Sequence, residues 1–106
     1  MSLIGAWRVV SSPDFDEDYL RMEVEPYLTL RQSGERVEGR YQVGLQTGDL
    51  DGRLEGENFI FFSFEGMDEM DEVNGAGTAT LNGDRLTFEL RYHRGDEYTF
   101  ECERME

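Results

Sequence analysis

The chain has 106 residues, enough for one domain with a single core and rarely for two. Apolar residues at 38% and aromatics at 12% exclude a disordered polymer, and no apolar run is long enough to cross a membrane as a helix. The formal charge is -14, from 24 acids against ten bases that are all arginine, which weighs against nucleic-acid phosphates and anionic lipid and favours cationic partners.

The first residues, MSLIGAWRVV, have neither a basic start nor a long apolar segment, so no secretory leader is expected. One cysteine, Cys102, cannot form an internal disulfide, and a reducing cytoplasm is the expected location. Alternation with a period of two then marks eight strands. They are expected at about 4–10, 26–32, 36–43, 48–55, 58–64, 76–82, 85–92 and 97–104. The clearest pair is the last, where Leu86, Phe88, Leu90 and Tyr92, then Tyr98, Phe100 and Cys102, alternate with polar residues. The 11–25 segment, SSPDFDEDYLRMEVE, is the one long connection, and a helical turn is expected from Phe15 to Met22. SGE, GEN and NGD fit tight hairpins in which glycine supplies a positive φ.

Short turns between neighbours imply an antiparallel up-and-down meander, and eight such strands close best into a barrel without exposed edges. The expected fold is therefore all-β, one barrel over residues 1–106. Trp7, Leu28, Leu30, Tyr41, Leu54, Phe88, Leu90, Tyr98 and Phe100 are expected to fill its interior, which leaves little room for a large lipid. In NFIFFSF, Ile60, Phe62 and Phe64 share one face. Phe59 and Phe61 share the other, so the 11–25 connection or a second copy of the chain is expected to cover that pair.

In a meander the connections at 11–25, 44–47, 65–75 and 93–96 lie at one end, and most of the acids gather there. EGMDEMDEVNG, residues 65–75, is expected to be an acidic loop forming one wall of a barrel mouth. Like charges held close repel, so such a rim points to a cationic partner, with a solubilising surface as the plain alternative. Carboxylates and His93 offer ligands suited to calcium, magnesium or manganese, but the spacing fits no EF-hand loop, and a zinc site lacks ligands. Nothing marks a nucleophile, a phosphate loop, a dinucleotide fingerprint or an H-E-x-x-H helix, so neither catalysis nor a cofactor is expected. RGD at 94–96 reads as a hairpin turn, and Cys102 as a small core residue.

GAW at 5–7 resembles the Gly-x-Trp of the calycins, the superfamily of lipocalins, fatty-acid-binding proteins and avidins. That resemblance implies a calycin-like barrel whose closed end holds Trp7, with Arg104 packed across its ring. This chain lacks the length and the disulfides of typical lipocalins. FSFEGMDEMDEVNGAGTATLNGDRL (62–86) and YHRGDEYTF (92–100) also resemble a family of small acidic bacterial proteins without an assigned activity. The second resemblance implies that Glu65, Asp68, Glu69, Asp71, His93 and Asp96 belong to one pattern.

The function expected from these features is non-enzymatic binding of a basic protein surface or small cationic ligand at an acidic mouth. The alternative is a calycin-like carrier of a small hydrophobic ligand in the barrel interior. A mimic of nucleic acid would need acids spaced along an elongated face rather than around a mouth.

Overall fold

A computed structural model describes residues 2–105. The elements are β1 (Gly5–Ser11), α1 (Glu17–Leu20), β2 (Tyr27–Ser33), β3 (Arg36–Val43), β4 (Gln46–Leu54), β5 (Phe59–Asp68), β6 (Asp71–Asn82), β7 (Arg85–Tyr92) and β8 (Glu97–Arg104). Each strand pairs antiparallel with its sequence neighbour, and β8 returns to pair with β1, closing the barrel. Closure removes the unpaired backbone edge that an open sheet would present.

Alternation produces the core directly. Val37, Tyr41 and Val43 of β3, Leu86, Phe88 and Leu90 of β7, and Phe100 and Cys102 of β8 are buried, while the residues between them face out or lie part-buried. Leu54 and Tyr98, expected inside, pack against this core only partly buried. The lumen is filled with aromatic rings: Phe88 lies 5.6 Å from Tyr41, 5.9 Å from Phe62 and 5.6 Å from Phe100, centroid to centroid. Glycine makes this density possible. A Cβ at Gly77 would sit 2.6 Å from Cζ of Phe62, and one at Gly48 would sit 2.5 Å from the hydroxyl of Tyr41. Phe62 and Tyr41 thus each lie over a strand position that has no side chain. On the outside, Glu38, Arg40, Asp49, Asp51, Glu89 and Arg91 are exposed, the reverse of the apolar band on a membrane barrel. None of the described residues forms a helix long and apolar enough to cross a membrane.

At the end that carries both termini, Trp7 is fully buried and pairs in register with Arg104. The guanidinium carbon of Arg104 lies 4.2 Å from the Trp7 ring centroid. Its Nη1 donates to the Ile4 carbonyl at 3.1 Å, its Nη2 donates to the Ser2 carbonyl, and Trp7 Nε1 donates to the Leu3 carbonyl at 2.8 Å. The arrangement anchors the N-terminal segment across the barrel floor.

Three expectations need correction. The stretch 65–75 is not a loop: β5 runs on to Asp68 and β6 begins at Asp71, leaving only Glu69 and Met70 as the turn. Glycine, Asp and Asn, which are depleted in strands, disguise a ladder held by its pairing with β4 through Gln46↔Asp68. β4 likewise starts at Gln46 rather than at 48, because Gly44 adopts φ 59° and makes a two-residue turn sufficient. The helical turn is shorter than expected, because Asp16 caps it by accepting the Tyr19 N–H at 2.8 Å, and Arg21 is its C-cap.

Candidate binding site at the barrel mouth

Three segments meet at the end opposite Trp7. The Gly44 N–H donates to the Leu20 carbonyl at 3.1 Å, and the Glu69 N–H donates to the Leu45 carbonyl at 3.0 Å. The connection that holds α1 therefore shares one pole with the tip of the β5–β6 hairpin, through the β3–β4 turn. Asp14 belongs to the same end, where its Oδ2 accepts the Thr99 N–H at 2.8 Å.

The 11–25 connection folds over the mouth rather than along the wall. Phe15 stacks on Tyr19 at 4.6 Å and tilts against Tyr98 at 4.7 Å, while Leu20 is buried. It leaves Phe61 56% exposed on the outer wall, so this connection is not the cover expected for that ring. Beneath the cap lies a polar layer. Gln46, the one buried polar residue among those described, donates from Nε2 to the Tyr19 hydroxyl at 3.2 Å and accepts the Tyr92 hydroxyl on Oε1. Tyr92 meets Tyr98 edge to face at 5.3 Å, and the Tyr98 hydroxyl donates to Asp96 at 3.1 Å. This tyrosine–glutamine layer was invisible in the sequence because 44–47 read as a loop. Once β4 is known to begin at residue 46, the inward parity of Gln46 follows.

The six residues of the acidic pattern separate into groups. Asp68 ends β5 on the inward face and is half-buried. Asp71 stands opposite it, and Glu69 occupies the turn with φ 58°. These three form the hairpin tip. Asp96 joins the mouth through Tyr98, and its backbone carbonyl accepts the Tyr92 N–H at 3.0 Å. His93 is exposed in the β7–β8 turn, where its N–H donates to the Asn74 carbonyl at 2.8 Å. Glu65 falls outside the mouth. Because β5 continues past it, alternation turns it outward, between Asp49 and Asn74 in register. There it lines an open cleft of about 390 Å³ on the outer wall with Met67 and Glu72.

Burial pushes the Asp68 carboxyl above the usual range, and the neighbouring charges of Glu69 and Asp71 add to it. Burial also raises the Tyr41 and Tyr92 hydroxyls, with Asp68 contributing to both, so all of these hydroxyls stay protonated. The Cys102 thiol is raised by burial as well, which leaves it unreactive. Among the described residues, no three His, Cys, Asp or Glu side chains converge as a metal-binding group.

The barrel is similar to a solved structure described as a redesigned β-barrel, mFAP1, bound to DFHBI. The TM-score is 0.67 at 14% identity, over 96% of this chain and 94% of that one. No protein-family model and no curated protein matches the chain. At that identity the likeness establishes the fold: an all-β, closed, eight-stranded antiparallel barrel.

Proposed function

We propose that the chain is a non-enzymatic binding protein whose acidic mouth receives a basic protein surface or another cation. One observation supports this reading most. Among the described residues, the ion pairs use Glu17, Glu25, Glu38, Asp49, Asp51, Glu97 and Glu103, and none includes Asp68, Glu69, Asp71 or Glu72. Arginines pair with wall carboxylates such as Asp49 and Asp51, while Asp68, Glu69 and Asp71 at the hairpin tip, and Glu72 beside them, make no ion pair. Asp14 and Asp16 each accept a backbone N–H and so also serve local structure. The hairpin-tip acids accept no hydrogen bond from a described side chain, which favours a partner for them. A reducing cytoplasm suits the single buried thiol.

Titration with a short oligolysine peptide at low and high salt tests the reading. Glu69→Gln/Asp71→Asn/Glu72→Gln should abolish salt-sensitive binding. Glu35→Gln/Glu57→Gln/Asp84→Asn removes as many charges at the other end and should leave binding unchanged. Equal loss in both triple variants would mean that net charge alone attracts the peptide, and the mouth would be no site.

The calycin-like reading rests on Trp7 under Arg104, and with it comes the second reading, a carrier of a small hydrophobic ligand. The similar barrel bound to DFHBI favours that reading. The aromatic packing of the lumen places it second.

A further inference from the structure

Tyr41 is 1% exposed, and its hydroxyl is one of two buried side-chain polar atoms, among the described residues, without a hydrogen-bond partner. The ring crosses Gly48, the residue opposite it in β4, and so carries the hydroxyl towards the mouth layer. Asp68 lies on the inward face of β5 opposite Gln46, one inward position nearer the mouth than Gly48, and its charge acts on Tyr41, Tyr92 and Tyr98 together. A half-buried carboxylate and an orphaned hydroxyl thus share one polar layer, walled by tyrosine rings. No described side chain donates a hydrogen bond to either.

We propose that the Asp68 carboxylate and the Tyr41 hydroxyl together receive a primary alkylammonium group, which enters from the hairpin side of the mouth. This rests on the acidic-mouth reading and names its ligand class. Both groups lack a donor, and an ammonium brings three N–H donors on one positive charge. The tyrosine rings present faces that attract such a cation. A hard metal ion would require more oxygens than converge here. Solvent reaches Asp68 but not Tyr41, so the entrance lies beside Asp68. Gln46 is already held by Tyr19 and Tyr92, so it does not compete for the ligand, and a quaternary head, which has no N–H, can donate to neither Asp68 nor Tyr41.

The test titrates n-butylammonium, tetramethylammonium and sodium at constant ionic strength, followed by calorimetry and by the Tyr41 ring resonances. The expected result is saturable binding of n-butylammonium alone, with a Kd about tenfold weaker in Tyr41→Phe, which keeps the net charge. Asp68→Asn should abolish it. Trp7 fluorescence, at the opposite pole, confirms that each variant is folded. If Tyr41→Phe weakens the oligolysine peptide as well, the natural source is a lysine side chain; if it weakens n-butylammonium only, the source is a free amine. Absence of n-butylammonium binding, or equal binding by wild type and Tyr41→Phe, would overturn the proposal and show that Tyr41 is satisfied by water. Neither result touches the rim reading, which the hairpin-tip variants decide.

Discussion

Asp68 and Asp71 oppose each other across the last pair of the β5–β6 ladder, with Glu69 between them in the turn. The arrangement places like charges side by side at the hairpin tip. It also sets the sign of a pH effect. Burial holds the folded Asp68 pKa above the ordinary aspartate value of 3.8, so the folded state holds this proton more tightly than the unfolded one. Its contribution to stability is fully present below that value and is lost as pH rises through the folded pKa. Asp68→Asn should therefore raise the melting temperature at neutral pH and flatten the dependence on pH above 3.8. Because solvent screens a half-exposed carboxylate, the gain should not exceed about 1 kcal/mol. Thermal melts of both proteins across the acidic range measure it.

At the other pole, Arg104→Ala should cost about 2–3 kcal/mol, the sum of one cation–π contact and two hydrogen bonds to the N-terminal segment. Arg104→Lys keeps the charge but cannot reach both the Ile4 and Ser2 carbonyls from a planar fork, so it should recover less than half. Urea unfolding followed by Trp7 fluorescence reads both.

Gly77→Ala should destabilise by about 2 kcal/mol or more, because the new methyl would meet both the Glu89 carbonyl at 2.2 Å and the Phe62 ring. Gly34→Ala is the contrast: its Cβ meets nothing within 4 Å, and only its φ of 64° carries a cost. Equilibrium denaturation of the two variants should rank Gly77→Ala as the more damaging. The reverse order would mean that turn strain, not ring packing, limits the barrel.

Phe15→Ala should uncap the mouth. The ring is part-buried against Tyr19, Tyr98 and Phe100, so the loss should be about 2 kcal/mol, less than for a fully buried phenylalanine. Hydrogen exchange at the Gly44 amide, which donates to the Leu20 carbonyl, should accelerate, while exchange near Trp7 stays as it was. Uniform acceleration at both poles would show that Phe15 supports the whole barrel.

Period-two alternation made the strands legible, because a wall with one wet face and one dry face leaves that mark on every strand that crosses it. Short turns at Gly34, Gly56 and Gly83 then set the order of the strands, and the common pole of the acidic connections follows from that order alone. What stayed hidden is what alternation cannot mark. Residues 65–75 carry the composition of a loop, and only ladder pairing holds them as strand, 65–68 against β4 and 71–75 against β5. One such extension turned Glu65 outward and Asp68 inward, because each added strand residue reverses the face. The meeting of Tyr19, Tyr41, Gln46, Tyr92 and Asp68 belongs to the tertiary structure, since those side chains come from five separate segments whose distances are set by barrel closure rather than by spacing along the chain.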